Sequence, residues 1–277
     1  MELSSSEFEG LKTFILKVSG IHIPTEKHYL IESRLAPIVA QYGFASYSTL
    51  YSALMENRDR SLENSVISAI TTNETSFFRD SKPFEVIADW VLPRIMDASK
   101  GQDRKARILS AASSTGQEPY SLAMLITEWC EKPGNHALKN EYEIIAVDIS
   151  TKAVEKAKQG RYSQNEVSRG LDSHRLSRFF SLDEKSYVVK DELRSKVTFK
   201  CANIVHSLQM LGRFDLVLLR NVLIYFNDAT KSEILENIHR ILHVDAYFLQ
   251  GATEAVFDLH TGYEQLHKVH KALYKRV

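Results

Sequence analysis

The sequence predicts an α/β protein: a doubly wound parallel sheet, preceded by a small all-helical N-terminal domain and carrying a small inserted antiparallel β-subdomain. Three observations lead there. Up to about Arg79, apolar side chains recur at three- and four-residue steps and no β-run occurs. From Arg107 onward, short apolar runs alternate with helical segments, the pattern of parallel strands joined by crossover helices. At the first such junction, Ile108–Met124 (ILSAASSTGQEPYSLAM), an apolar run ends in small residues, passes Gly116 and opens a helix whose free N–H groups suit a ligand. The expected domains are 1–80 (helical) and 81–277 (α/β), with the β-subdomain inserted at about 177–196.

Each element has its own signal. Phe8, Leu11, Phe14, Ile15 and Val18 mark the first helix, with Ser5 or Ser6 as cap. Pro24-Thr25-Glu26 opens a second over Thr25–Tyr42, carrying Leu30, Leu35, Ile38 and Val39. Ser46 starts a third with Tyr47, Leu50, Leu54 and Met55, and Leu62–Ile70 reads as a fourth. Pro83–Met96 is a further helix, Ala98–Lys105 a polar surface loop, and Phe77-Phe78 is expected to pack on the helical domain. The expected strands are Arg107–Ala111, Glu143–Val147, Val197–Lys200, Phe214–Leu219 and Ala246–Gln250. Helices Tyr120–Cys130, Thr151–Gln159 and Thr230–Leu242 lie between them. Within Ser177–Lys200, the runs Tyr187-Val188-Val189 and Val197-Thr198-Phe199 point to a short β-excursion before the third strand. Tyr263–Val269 and Lys271–Arg276 read as a closing hairpin.

Bulk properties exclude several function classes. The 277 residues are 44% hydrophobic, enough for a sizeable core. Basic and acidic residues balance at 35 each, so no net field draws the chain to nucleic acid or anionic lipid, and neither partner is expected. The longest apolar run, Phe214–Phe226, is broken by Asp215, Arg220 and Asn221 and is no membrane span. Cys130 and Cys201 are the only cysteines and the opening MELSSSEFEG is unlike a secretory signal, so a cytoplasmic location is expected. His267 and His270 lack a cysteine or carboxylate to complete a metal set, and none is expected. No G-x-S-x-G occurs, which leaves hydrolase chemistry unsupported.

In a doubly wound sheet, ligands settle at the C-terminal ends of the strands. The residues there are Ser113–Glu118, Asp148, Ala202-Asn203 and Arg220-Asn221. Asp148 suits a ribose diol, and equally a cap for the helix after it; Asn203 and Asn221 suit turns. Polar residues at three consecutive strand ends favour a pocket. Only Gly116 is available where a dinucleotide would want G-x-G-x-x-G, and no P-loop exists. A phosphate-free nucleoside needs fewer glycines, and S-adenosylmethionine (SAM) fits: ribose at Asp148, adenine near Asn203, and the α-ammonium at Glu118. Glu118 also suits the helix N-terminus electrostatically, an effect under ~1 kcal/mol.

With these residues in place, the chain resembles the CheR-type chemotaxis receptor (protein-glutamate O-) methyltransferases over nearly its whole length. The markers are TTNETSFFRD (Thr71–Asp80), SAASSTGQEPYSLAM (Ser110–Met124), AVDIS (Ala146–Ser150) and FDLVLLRNVLIYF (Phe214–Phe226). The resemblance implies a Rossmann-like methyltransferase sheet and transfer of a methyl group from SAM to glutamate side chains of chemoreceptors, leaving S-adenosylhomocysteine (SAH). It implies a cofactor pocket lined by Asn73, Thr75, Arg79, Glu118, Asp148, Asn203 and Asn221, with Ile204 and Val222 beside it. Arg79 and Tyr225 fall near the transferred methyl as the catalytic residues; Arg79 also suits a salt bridge of the N-terminal domain, and Tyr225 a packed ring beside Phe226. The implied partner is the cytoplasmic helical domain of methyl-accepting chemoreceptors, met by a monomer.

Departures from the family pattern shape the expectation. Gln117 replaces the first acid of a Glu-Glu pair, while Glu118 remains. Val244-Asp245-Ala246-Tyr247 lacks a glycine pair common in the family; Gly251, Thr253 and Glu254 keep the rest. Lys27 and Arg34 are the only firm positive charges of the second helix, which in relatives is more basic and faces acidic receptor helices. Ser181–Ser186 is short and glycine-free, where relatives that grip a tethering peptide at the receptor C-terminus carry a longer, glycine-bearing loop. Independence from such a peptide is therefore expected. The alternative class is a noncatalytic SAM- or SAH-binding signalling protein, against which Arg79 and Tyr225 count.

Overall fold

The computed structural model describes residues 2–56, 59–138, 141–252, 254 and 261–277, with the backbone alone for Ala137. Thr253, matched to the family above, lies outside the described residues. The chain opens with α1 (Ser5–Ser19), a 3₁₀ turn (Thr25–Lys27), α2 (His28–Gln41), α3 (Tyr47–Met55) and α4 (Arg60–Ile70). Ser4, rather than Ser5 or Ser6, caps α1: its hydroxyl accepts from the Glu7 N–H, and the Glu7 carboxylate accepts from the Ser4 N–H at 2.9 Å. Phe8, Leu11, Leu35, Leu50 and Val66 meet in the core of this domain. Arg34 does not present its charge outward. Its guanidinium donates to the carbonyl oxygens of Ala69, Ile70 and Thr71 (3.1, 2.9 and 2.9 Å) and to the Thr72 hydroxyl (3.0 Å). It thus closes the C-terminal end of α4, whose last carbonyls have no helical partner.

The expected helix Pro83–Met96 is three pieces: α5 (Lys82–Val86), a wide π turn (Ile87–Val91) and α6 (Leu92–Gly101). Pro93 has no N–H to donate into the preceding turn, and the wide turn sits where that bond is missing. Helix α6 also runs through Ala98–Gly101, where a loop was expected; buried Ser99 donates back to the Ile95 carbonyl (2.6 Å) and so fits a helix.

There follow β1 (Ala106–Ala111), α7 (Gln117–Cys130), β2 (Tyr142–Asp148), α8 (Thr151–Gln159), β3 (Arg161–Ser163), α9 (Gln164–Ser168), α10 (Ser173–Phe179), β4 (Phe180–Asp183) and β5 (Ser186–Val189). The chain closes with α11 (Asp191–Arg194), β6 (Val197–Cys201), β7 (Phe214–Leu219), α12 (Asp228–Ile241), β8 (Leu242–Gln250), β9 (Tyr263–Gln265) and β10 (Leu273–Arg276). The main sheet has the order β6-β2-β1-β7-β8-β10-β9, parallel from β6 to β8 and antiparallel at β10 and β9. The winding reverses between β1 and β7, as the doubly wound reading requires. Alternate strand residues serve two cores: Ile108, Ile144, Leu216 and Leu249 on one face with α7, and Leu109, Ile145, Val217 and Phe248 on the other with α12. Strand β8 starts at Leu242, ahead of the expected Ala246, because Asp245 takes a left-handed conformation (φ 65°) and a bulge absorbs the register shift opposite β7.

A second sheet of order β3-β5-β4 packs beside α7 and α8. Its first strand, Arg161–Ser163, lies ahead of the excursion read from sequence; of the two runs read into that excursion only Tyr187-Val188-Val189 is in it, while Val197-Thr198-Phe199 lies in the main-sheet strand expected at Val197–Lys200. Phe77 meets Tyr162 and Phe180 edge-on (ring centroids 5.1 and 5.5 Å) and Phe78 meets Phe84 (5.1 Å). This pair therefore packs into the α/β core, not on the helical domain: the small sheet offers it an aromatic slot that the helical core lacks. Gly170 abuts the same segment with φ 100°, and a Cβ there would stand 1.8 Å from the Phe77 carbonyl oxygen. We expect Gly170→Ala to cost about 3 kcal/mol or more, read as a lowered denaturant midpoint; a midpoint equal to wild type would contradict this packing.

Candidate functional site

A cavity of about 370 Å³ lies between the helical domain and the C-terminal ends of β1, β2, β6 and β7. That volume and that place suit a nucleoside-sized ligand. Asn73, Thr75 and Arg79 reach its wall from the segment joining the domains. Glu118 reaches it from the first turn of α7, and Asp148 from the tip of β2. Asn203 and Ile204 follow β6; Asn221, Val222 and Tyr225 follow β7.

The loop after β1 is built under strain. Ala112, Ser114 and Gly116 all lie in the left-handed region (φ 56°, 51° and 94°), unfavourable for the two that carry a Cβ. Hydrogen bonds hold it from several sides: Ser113 N–H to the Val147 carbonyl (2.9 Å), Ser114 N–H to Asp148 Oδ2 (2.8 Å), and Ser114 Oγ to the Asn73 carbonyl (3.1 Å). Asp148 is 6% exposed and accepts the Ser150 N–H as well (2.8 Å). Burial is the main influence on its carboxyl and raises its pKa above the ordinary 3.8, against the pull of these backbone donors. Ser150, not Asp148, caps α8, accepting from the Ala153 N–H (3.2 Å).

Glu118 accepts from the Ser110 hydroxyl (2.9 Å) and from Arg220 Nη1 (3.0 Å). The Arg220 side chain is 2% exposed and also donates to the Arg79 carbonyl (2.8 Å) and Asp80 Oδ2 (3.1 Å). It ties the strand tip, the α7 N-terminus and the Arg79 segment into one unit. Sequence reasoning placed Arg220 at a strand end without giving it this task; the available signal was a charge inside an apolar run, rarely buried unless paired. Glu254, also deeply buried, accepts N–H groups from Asn221 (2.8 Å), Leu223 (2.7 Å) and Gly251 (2.9 Å), and so fixes the turn that presents Asn221 and Tyr225.

Asn221 is both turn former (φ 56°) and cavity wall. Asn203 accepts from the Val205 N–H (3.0 Å) and donates across the domain boundary to the Val18 carbonyl (3.1 Å). The His22 N–H donates to the Tyr225 carbonyl (2.9 Å), closing the boundary from the other side. Arg79 donates to the Glu74 carbonyl (3.1 Å), and among the described residues no carboxylate pairs with it, so the salt-bridge alternative fails. His22, Lys27 and Tyr29 also line the cavity. They were missed because nothing local in a helical segment tells which face will dock on a second domain.

Two family models match the chain. The CheR methyltransferase all-alpha domain matches residues 6–71, and the CheR methyltransferase SAM binding domain matches residues 73–272. The chain is 40% identical to chemotaxis protein methyltransferase 1 of Pseudomonas aeruginosa over 267 residues, covering 96% of each. It is 38% identical to the methyltransferase Cher2 of Pseudomonas putida over 269 residues, again covering 96% of each. The chain belongs to the CheR methyltransferase family. As a CheR methyltransferase it is an enzyme using SAM for methylation in chemotaxis, and its cavity suits that ligand. Two carboxylates reach the cavity, Asp148 from the tip of β2 and Glu118 from the first turn of α7; no glycine-rich phosphate cradle follows β1, and the buried Ser113 hydroxyl on the cavity wall has no partner among the described residues. Among the described residues, no helix of this CheR protein is long and apolar enough to cross a membrane.

Proposed function

We propose that this chain converts glutamate side chains on the cytoplasmic helical domain of methyl-accepting chemoreceptors to glutamyl methyl esters, releasing SAH and needing no tethering peptide. The observation that carries the reading is Arg79: a guanidinium that pairs with no carboxylate among the described residues, on the wall of the cavity that Asp148, Glu118 and Tyr225 also line. When bound, SAM supplies a methyl carbon made electrophilic by its sulfonium. Asp148 accepts the ribose hydroxyls with the lone pairs its backbone donors leave open. Glu118, oriented by Ser110 and Arg220, receives the α-ammonium. Asn203 and Ile204 border the adenine, and Asn73, Thr75, Asn221 and Val222 complete the wall.

A substrate glutamate, with pKa near ~4.3, arrives ionised and needs no general base. Arg79 holds its carboxylate by paired hydrogen bonds, and the Tyr225 ring borders the line of approach. Opposite charges cancel as the oxygen meets the methyl, so a cavity that excludes water favours the step. Alignment then supplies most of the remaining help. The β4–β5 turn supports independence from a tether: Asp183 pairs with Ser186 across only Glu184-Lys185, leaving no glycine-bearing loop.

Asp148 gives the reading a pH signature. Its raised pKa means that protonation begins at a higher pH than for an ordinary carboxyl of 3.8. In the ligand-free fold this raised value contributes stability below the unfolded pKa and loses it as pH rises through the folded one. Ribose binding runs the other way and wants the charged form. Calorimetric SAH affinity should therefore fall on acidification at a pH above the usual Asp range while the ligand-free protein is relieved of a cost; a flat affinity profile would remove Asp148 from the ribose. The substrate is tested with methyl-labelled SAM and membranes holding full-length or tail-truncated receptors. Alkali-labile label at similar rates on both supports the proposal. Label confined to tailed receptors ends the tether-free part, and none on either ends the substrate assignment.

A further inference from the structure

Tyr162 sits on β3 of the small sheet, away from every strand end of the main sheet, yet its hydroxyl reaches the cofactor loop and donates to the Thr115 carbonyl at 2.7 Å. Sequence explains why that carbonyl needs an outside donor. Four residues on, where a helix would supply the answering N–H, stands Pro119, which has none. The first regular bond of α7 is therefore the next one, from the Tyr120 N–H to the Gly116 carbonyl (3.1 Å). The phenol replaces a bond that the proline removed, at the base of a loop with three left-handed residues.

The surroundings leave Tyr162 little freedom to do anything else. It is 1% exposed, Phe77 and Phe180 meet its ring edge-on, and burial pushes its ionisation well above the ordinary range, so the group stays a donor. Gly116 is pressed against it: a Cβ there would stand 3.0 Å from the Tyr162 oxygen and 2.9 Å from the Ala157 Cβ. The same ring touches Phe77, two residues before Arg79. The small sheet thus braces both the loop of Ser113 and Ser114 and the segment that carries Arg79.

We infer that Tyr162 is a positioning residue for the cofactor: its hydroxyl, donated to the Thr115 carbonyl, holds the strained loop in the shape that SAM binds. The inference rests on the cavity being the cofactor site. A strained loop returns to relaxed conformers when one of its few restraints is lost, and those conformers bind less well. The phenylalanine variant keeps the ring contacts and removes only the donor.

The test uses the full-length protein, with SAH titrated by calorimetry and SAM turnover measured alongside. Tyr162→Phe should weaken SAH binding and raise the KM for SAM about ten-fold, the usual weight of one lost bond to a buried carbonyl, with kcat nearly unchanged. Tyr187→Phe removes a hydroxyl from the neighbouring strand, bonded to Gln164 at 2.8 Å and outside the cavity, and should leave binding as in wild type. Glu118→Gln serves as the reference for the cavity itself. If Glu118→Gln weakens SAH binding and Tyr162→Phe does not, the inference is overturned. If Tyr162→Phe lowers the melting temperature and kcat with SAH affinity intact, Tyr162 is only a packing residue and the inference is again overturned. If neither variant weakens binding, the cavity assignment fails and takes the inference with it.

Discussion

Arg79→Ala is expected to lower kcat by about two to three orders of magnitude while SAH affinity stays within several-fold of wild type. The asymmetry follows from what each atom of Arg79 does. Its main-chain carbonyl accepts from Arg220 and survives the substitution, so the segment stays anchored. The guanidinium donates to a single protein acceptor, the Glu74 carbonyl, and pairs with no carboxylate among the described residues, whereas Arg34, the other such guanidinium on the cavity wall, is taken up by three carbonyls and the Thr72 hydroxyl. Alanine removes the group that would align the incoming carboxylate and little of what shapes the nucleoside site. Single-turnover transfer to receptor membranes measures the first quantity and SAH calorimetry the second. Normal transfer would remove Arg79 from the chemistry; lost SAH binding would make it a cofactor ligand first.

The second large effect belongs to Arg220. Arg220→Met keeps the volume of the buried stem but takes its charged donor from Glu118, which keeps only the Ser110 hydroxyl, and removes the donor to the Arg79 carbonyl. Removing one member of a buried ion pair costs about 3 kcal/mol or more. Here the Glu118 side chain keeps 14% exposure and that of Asp80 47%, so solvent recovers part of the loss, chiefly at Asp80. We expect unfolding stability to fall by about 2–3 kcal/mol, and SAH affinity to fall with it, because Glu118 is no longer held toward the ammonium. Urea unfolding and calorimetry on one preparation read both. A variant as stable as wild type would show that Arg220 does not join these segments.

What was legible in the sequence was what repeats or what topology dictates. Strands such as Phe214–Leu219 are buried on both faces and read as apolar runs, here interrupted only by Asp215. Once the doubly wound order was read, the strand ends named Asp148, Asn203 and Asn221 without any structure, and each does reach the cavity wall. Features decided by a single distant partner were not legible. Arg34 looked like surface charge because the carbonyls it closes are on another helix. Strand β3 is three residues long and exists because β5 pairs with it. Phe77 and Phe78 were given to the wrong core, since an aromatic pair between two domains carries no mark of which one it enters. Glu254 read as a remnant of a family pattern, and its role became visible only with the three N–H groups around it. The proline that leaves Thr115 without a helical donor was visible throughout, but the tyrosine that answers it lies far along the chain.

The most direct measurement is a crystal structure of the full-length protein with SAH. The account predicts one molecule in the interdomain cavity, its ribose hydroxyls on Asp148, its ammonium on Glu118, and its sulfur turned toward Arg79 and Tyr225. A nucleoside bound elsewhere, or in this cavity with its ribose away from Asp148, would contradict it.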